Sequence, residues 1–189
     1  IKNLRTSIIE GKSTIEKITG CEVLGFRAPR FSLQKNDKKC LKLLSQNFNY
    51  DSSINVTNRN ELSEWSNTMK LDLIEVPILK MRIFFDLLFI KLGGSYTKLL
   101  PKDYFMKHMR QLALISDLPM VFYLHPYDLL NDRNFHLPFT YTKKLPLHSR
   151  IYWHFRQKQW NYLGNRNVLK KWNSIIKTFG NSGCLKDNL

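Results

Sequence analysis

Short apolar runs of strand type alternate with helical patterns along this chain, and this alternation is the strongest constraint on its fold. Runs of about four to eight residues rich in β-branched and aromatic side chains indicate strands, whereas apolar residues spaced three and four apart indicate helices. Strands are predicted near residues 21–28, 50–56, 73–79 and 120–124. Because strands that are separated by helices usually pair in parallel, the sequence predicts an α/β fold.

Amphipathic helices are predicted between and after these strands. Gly20 and Gly180 stand where the first and last of them should end. The apolar faces comprise Leu4, Ile8, Ile15 and Ile18; Cys40, Leu41, Leu44 and Phe48; Phe105, Met109 and Leu112; and Val168, Leu169, Trp172, Ile175, Ile176 and Phe179. Residues 131–164 lack such a period and are predicted to form a basic, aromatic loop.

The charge of the chain is strongly positive and unevenly placed. There are 30 Lys and Arg residues against 15 Asp and Glu residues, a net charge of +15, and residues 133–186 hold eleven basic residues and no acidic one. Such a region favours an anionic partner, whether nucleic acid, acidic glycan or a membrane surface, although it is also compatible with simple solvation. No run approaches the roughly 20 apolar residues of a membrane span, and no signal peptide is recognised.

Two short motifs stand at the ends of predicted strands. The segment Gly25-Phe26-Arg27-Ala28-Pro29 lies at the end of the first strand, and Leu124-His125-Pro126 lies at the end of the last one. A histidine can donate and recover a proton near neutral pH, and an arginine can hold a carboxylate in one geometry. The two motifs are therefore candidates for one active site.

Six motifs in this order resemble those of the polysaccharide deacetylase family, in particular the branch associated with exopolysaccharide gene clusters. The resemblance covers nearly the whole chain. The matching residues are Ile18-Thr19-Gly20, Gly25-Phe26-Arg27-Ala28-Pro29, Tyr50-Asp51-Ser52-Ser53-Ile54, Glu75-Val76-Pro77, Gly93-Gly94-Ser95-Tyr96 with Leu99-Leu100-Pro101, and Phe122-Tyr123-Leu124-His125-Pro126.

The resemblance implies a fold and a division of the chain. The family has a distorted (β/α) barrel, and a complete barrel usually needs about 250 residues. We therefore expect a partial, truncated barrel with a basic C-terminal helical extension. Residues 1–132 would form the C-terminal part of the barrel, and residues 133–189 the basic aromatic loop and an amphipathic helix packed on the same domain.

The resemblance also implies an activity, the metal-dependent hydrolysis of N-acetyl or O-acetyl groups on a glycan. His125 matches the general acid, Arg27 matches the arginine that orients a catalytic aspartate, and Asp51 is a candidate partner of His125. The backbone amide of Arg30 would stabilise the oxyanion. The residues expected to contact the acetylated glycan are Phe26, Pro29, Arg30, Phe31, Leu124 and Tyr127.

The metal ligands that the resemblance implies are missing from this sequence. The family uses one aspartate and two histidines four residues apart, whereas His108, His125, His136, His148 and His154 are separated by 17, 11, 12 and 6 residues. We expect the missing motifs to lie upstream of Ile1. The full-length relative would hold zinc or another divalent metal, while this chain would have no metal site and no activity of its own.

Two other functions remain open on the sequence alone. One is a catalytically dead, carbohydrate-binding pseudo-enzyme, which would use the same aromatic residues to hold sugar. The other, which the sequence favours less because it has no known nucleic-acid motif, is a nucleic-acid-binding module built on the basic tail. The sequence leaves open both the oligomeric state and the choice between the cytoplasm and the cell envelope.

Overall fold

The computed structural model describes residues 2–34, 37–69, 73–84, 87–130, 136–180, 183 and 185. The protein is mixed α/β, and the chain forms two compact units. Unit 1 comprises Ile1–Lys80 and Ile115–Val121, and unit 2 comprises Met81–Leu114 and Phe122–Leu189. The boundary between residues 132 and 133 stays a prediction.

The helices of unit 1 are α1 (Lys2–Thr19), α2 (Lys38–Ser45) and α3 (Arg59–Met69). The predicted end of α1 at Gly20 is confirmed, because Gly20 has a positive φ of 67°. Asp37 caps α2 by accepting a hydrogen bond from the Cys40 backbone N–H at 3.0 Å, as a short polar side chain does at a helix start. Ile8, Leu44 and Phe48 form a buried apolar cluster.

A parallel three-stranded sheet in unit 1 consists of β1 (Gly25–Phe26), β2 (Tyr50–Asp51) and β4 (Ile74–Glu75), with β2 in the centre. Its register pairs Phe26 with Asp51, and Asp51 with Glu75. Gly25 allows the close approach of the first two strands, because a Cβ atom there would lie 2.1 Å from the Tyr50 ring. The sheet therefore brings three strand ends to one edge.

A second sheet has the order β3-β5-β6, where β3 is Asn55–Val56, β5 is Ile78–Ile83 and β6 is Leu88–Lys91. β3 pairs in parallel with the start of β5. The predicted strands 50–56 and 73–79 are thus each divided in two. The breaks fall at 52–54 and 76–77, where serines and a proline interrupt the ladder, and a proline cannot donate a ladder hydrogen bond.

The helices of unit 2 are α4 (Gly94–Leu99), α5 (Lys102–Ile115), α6 (Pro126–Leu129), α7 (Leu147–Asn161) and α8 (Val168–Phe179). The predicted apolar face of α5 is confirmed, since Phe105, Met109 and Leu112 are buried. Phe122 contacts two helices of this unit. Its ring centroid lies 6.2 Å from that of Phe105 in α5 and 5.3 Å from that of Trp172 in α8.

Two predictions about the second half of the chain were wrong. Residues 120–124 were expected to form a fully buried strand, but they are half-buried and only Tyr123 forms a bridge, to Gly93. Residues 131–164 were expected to be a loop, yet α7 occupies 147–161. No residue of α7 is fully buried, so this helix lacks the apolar period by which a buried face is recognised.

The predicted barrel is not seen in the described part of the chain. There, the strands form two small three-stranded sheets and do not close. None of the described helices combines the length and the apolar character needed to cross a bilayer.

Candidate functional site

The turn that follows β1 has an unusual backbone. We call residues 27–32 the 27–32 turn. Arg30 and Phe31 both have left-handed φ angles, 58° and 56°, a region that residues with a side chain rarely occupy. Pro29 and Arg30 are exposed and Phe31 is half-buried. Backbone strain of this kind is concentrated at functional sites, where the surrounding structure enforces it.

Arg27 holds the 27–32 turn against the neighbouring strand end. Its Nε donates to the Ser52 carbonyl at 3.0 Å, and its Nη2 donates to Ser52 Oγ at 2.7 Å. Ser52 Oγ in turn donates to the Val76 carbonyl at 2.6 Å. The guanidinium also lies 5.9 Å from the centre of the Phe31 ring. Arg27 thus connects the ends of all three strands of the sheet.

Asp51 is completely buried at the end of β2. Its two carboxylate oxygens accept hydrogen bonds from the Ser53 hydroxyl at 2.7 Å and the Ser53 backbone N–H at 2.9 Å. Ser53 Oγ also accepts the Ala28 N–H at 2.7 Å. A buried carboxylate requires donors of this kind, because its transfer from water is costly.

Glu75 lies beside Asp51 in the sheet register. Burial and, after it, the neighbouring Asp51 carboxylate together raise the pKa of the Glu75 carboxyl to about 10. Glu75 Oε1 accepts the Ile54 N–H at 3.3 Å. The site in unit 1 therefore contains a pair of adjacent carboxyl groups, which a search for single catalytic residues does not reveal.

Phe26 occupies a mixed position. It is half-buried, and its ring lies 5.4 Å from that of Phe48 in the apolar cluster of unit 1. This contact packs β1 against the apolar cluster. The predicted contact of Phe26 with a glycan stays a prediction.

His125 is exposed and lies just before α6 in unit 2. Its ring stacks on Tyr127 with centroids 4.7 Å apart and planes inclined by 16°, and it meets the edge of Tyr123 at 5.7 Å. The His125 backbone N–H donates to Asp128 at 3.0 Å. The neighbouring Leu124 is half-buried.

A buried ion pair lies beneath this histidine. Lys98 Nζ is 2.8 Å from Asp128 Oδ1, and both side chains are fully buried. The Lys98 ammonium also donates to the Trp160 carbonyl at 2.7 Å. Burial lowers the pKa of Lys98, and the Asp128 carboxylate partly offsets that shift. The charge of Asp128, which fixes the His125 backbone, is thereby balanced by Lys98.

Two further buried polar side chains hold the same part of unit 2. Asn165 donates to the Tyr127 carbonyl at 2.7 Å and to the Leu130 carbonyl. Lys171 donates to the Thr97 carbonyl at 2.6 Å and to the Lys98 carbonyl at 3.1 Å. These bonds satisfy carbonyl groups at helix ends that would otherwise be buried without a partner.

The sequence-predicted site residues therefore fall into two groups. Unit 1 brings together Arg27, Asp51, Pro29, Arg30 and Phe31 at one sheet edge. Unit 2 brings together Leu124, His125 and Tyr127 before α6. The sequence analysis assigned no role to Ser53, Glu75, Lys98, Asp128, Asn165 and Lys171. For Glu75, a signal was present, since it stands in the motif Glu75-Val76-Pro77.

A metal ion finds no ligand set in this part of the molecule. Among the described residues, no three His, Cys, Asp or Glu side chains are grouped so that they could hold one. The donor set therefore does not fit the zinc site that the family resemblance implies.

A family described as Domain of unknown function (DUF3473) matches residues 52–180. Neither the curated proteins nor the solved structures include a significant match to the chain.

Proposed function

This chain belongs to the DUF3473 family, and from that membership we propose that it is part of a polysaccharide deacetylase-like protein. The family is associated with proteins of that type. The proposed reaction is the hydrolysis of N-acetyl or O-acetyl groups on a glycan during polysaccharide biosynthesis. The proposed fold of the intact catalytic domain is the distorted (β/α) barrel of that family.

The observation that carries this proposal is the arrangement of the 27–32 turn. A guanidinium, a pair of buried carboxyl groups and two left-handed residues meet at the ends of three parallel strands. Functional groups gather at the carboxyl ends of strands in α/β proteins, and the resemblance assigns Arg27 to orientation and the Arg30 amide to the oxyanion. A backbone N–H that is held in place costs no reorganisation when negative charge develops.

His125 would protonate the leaving amine. Its ring is exposed and held by two tyrosines, while its backbone is fixed by Asp128. A general acid must reach the leaving group and keep one orientation, and the exposed, stacked ring supports the assignment of this role to His125. The resemblance also assigns Asp51 as a partner of His125. This proposed role does not follow from the contacts of Asp51 with Ser53 and Glu75.

The metal-binding half of the reaction has no counterpart in the described residues, so we assign no step to a metal here. We propose that the chain supplies the orienting and proton-donating groups, and that the ligands come from outside the described residues. The chain alone is then expected to be inactive.

A second candidate function is a carbohydrate-binding pseudo-enzyme. It is favoured by a continuous series of rings in unit 2, in which His125, Tyr127, Trp160 and Trp153 follow one another at 4.7, 6.3 and 5.9 Å. Aromatic faces of this kind can support a sugar ring without any hydrolysis. The basic, aromatic nucleic-acid module is a third candidate, which salt-dependent binding to unrelated oligonucleotides would favour.

The proposal is tested with the protein expressed from its complete native gene. With zinc and an N-acetylated chito-oligosaccharide, we expect acetate release that His125→Asn lowers about 10²–10⁴-fold, the usual effect of losing a general acid. The control His148→Asn changes an exposed histidine of α7 and should have no effect. The purified 189-residue chain should release no acetate.

Other outcomes would change the assignment. Unchanged release in His125→Asn would remove the general-acid role. Sugar binding without release by the complete protein would favour the pseudo-enzyme. Release by the 189-residue chain would show that its own residues suffice.

A further inference from the structure

The sheet register of unit 1 places two carboxyl groups side by side. Asp51 on β2 pairs with Glu75 on β4 in a parallel ladder. Paired residues in neighbouring strands point to the same face of a sheet. Asp51 has no exposed surface, and the Glu75 carboxyl oxygen Oε2 is also buried.

Two adjacent buried carboxyl groups cannot both carry a negative charge, because each charge opposes the ionisation of the other. Glu75 is the member that keeps its proton, since burial and the Asp51 carboxylate together raise its pKa to about 10. The hydrogen bonds support this assignment. Among the described residues, Glu75 Oε2 accepts no hydrogen bond, as expected of an O–H group, and a protonated Glu75 would donate to Asp51, its partner in the sheet register.

Asp51 transmits this contact to the 27–32 turn. Its Oδ1 accepts the Ser53 hydroxyl at 2.7 Å, and Ser53 Oγ accepts the Ala28 N–H at 2.7 Å. Ala28 is buried and directly precedes the strained residues. A continuous series of hydrogen bonds therefore runs from Asp51 through Ser53 to the backbone of the turn, and the Glu75 O–H would extend it by donating to Asp51.

We propose that Glu75 is a positioning residue, a neutral carboxylic acid whose O–H fixes Asp51 and, through Ser53, the backbone of the 27–32 turn. The significance of the turn rests on the proposed function, but the hydrogen-bond series does not. Few other groups face this pair in the described part of unit 1. The Ser53 and Ile54 amides face Glu75, the Cys40 thiol of α2 faces Asp51, and the Arg27 guanidinium binds the adjacent Ser52.

The first test is the pH dependence of unfolding. A carboxyl group with a raised folded pKa holds its proton in the native state and loses it on unfolding, so rising pH favours unfolding between the unfolded value near 4.5 and the folded value of about 10. For each pH unit in this range, the unfolding equilibrium constant of the wild type should rise by a factor about tenfold larger than that of Glu75→Gln. The control Glu22→Gln, at an exposed position, should keep the wild-type slope.

The second test is infrared spectroscopy of the folded chain near pH 8, where ordinary carboxyl groups are ionised. A carbonyl band of a protonated carboxylic acid should be present in the wild type and in Glu22→Gln, and absent in Glu75→Gln. A wild type without this band, or a Glu75→Gln variant that retains it, would overturn the proposal.

Amide hydrogen exchange at Ala28 tests the positioning role. Glu75→Gln keeps a donor for Asp51 and should retain the protection, whereas Glu75→Ala should lose it. If Glu75→Ala does not fold, the comparison of Glu75→Gln with the wild type still tests the proposal. Loss of exchange protection at the Ala28 amide in Glu75→Gln would contradict the positioning role. None of these measurements requires acetate release, so their failure and the failure of the proposed function are distinguishable.

Discussion

Single glycine positions determine how closely two backbone segments approach in unit 2. Gly93 has a φ of 117°, forms a bridge with Tyr123 and precedes Gly94, whose N–H donates to the Tyr123 carbonyl at 2.9 Å. The two glycines, which belong to the motif Gly93-Gly94-Ser95-Tyr96, thus allow the backbone to approach Tyr123 closely. Tyr123 contacts His125, so these glycines help to place the candidate acid.

At this scale we predict opposite effects for two Gly→Ala substitutions. A Cβ at Gly93 would lie 2.1 Å from the Tyr123 carbonyl oxygen, whereas a Cβ at Gly11 within α1 would meet nothing within 4 Å. Gly93→Ala should lower the free energy of unfolding by about 2 kcal/mol or more. Gly11→Ala should raise it by about 0.5–1 kcal/mol, because alanine favours helices. Denaturant unfolding of both variants is the measurement, and equal effects would contradict the structure.

Residue types alone could identify part of the candidate site. Arg27, Asp51 and His125 stand in motifs and could be predicted. Glu75 and Ser53 also stand in motifs, but their contacts could not be predicted, because these depend on which strands lie side by side. Lys98 and Asp128 are 30 residues apart and could be paired only once the positions of α4 and α6 were known.

The 27–32 turn is the element whose backbone conformation is most strained. Two consecutive left-handed residues, Arg30 and Phe31, follow Pro29. Each such residue costs roughly 1–2 kcal/mol relative to a right-handed conformation. The turn is retained in this form by Arg27 on one side and the Ser53 hydroxyl on the other.

A glycine at position 30 should release this strain. We expect Arg30→Gly to raise the free energy of unfolding by up to about 1 kcal/mol, while glycan binding weakens because the amide is held less firmly. Ser32→Gly, at a right-handed φ of −87°, is the control and should be neutral or slightly destabilising. Calorimetric unfolding and sugar titration measure the two effects. A destabilised Arg30→Gly would show that the side chain matters more than the backbone.

Elements with a clear apolar period could be predicted, and the others could not. The faces of α5 and α8 repeat every three or four residues, and both helices were found where the sequence indicates. The strands of the first sheet have only two residues each, too few for a period of two to be recognised. The helix α7 was missed because none of its residues is fully buried.

The whole molecule combines a high net charge with many exposed apolar side chains. The net charge is +15. Among the most exposed large apolar residues are Leu114 at 86% and Ile115 at 79%, at the end of α5. Charge repulsion keeps molecules apart, while exposed apolar surface favours association. Ionic strength should decide which of the two prevails.

We therefore predict salt-induced self-association of the isolated chain. At about 10 mM salt the repulsion reaches about 30 Å, but at about 1 M it is screened within about 3 Å. Sedimentation velocity should show mainly monomer at low salt and larger species at high salt. Replacing both Leu114 and Ile115 with Gln should reduce the self-association. Replacing Leu112, which lies on the buried face of α5, should leave the self-association unchanged as long as the variant stays folded. A monomer at all ionic strengths would contradict this view.

The buried lysines of unit 2 have a practical consequence. Lys98 and Lys171 expose 2% and 3% of their surfaces, and their ammonium groups are engaged by a carboxylate and by backbone carbonyls. Amine-specific reagents act on accessible, deprotonated nitrogen, so these two positions are shielded while the surface lysines are modified. Modification of either lysine would therefore report the opening of unit 2. Mass spectrometry of the digested peptides would measure the fraction of molecules that is modified.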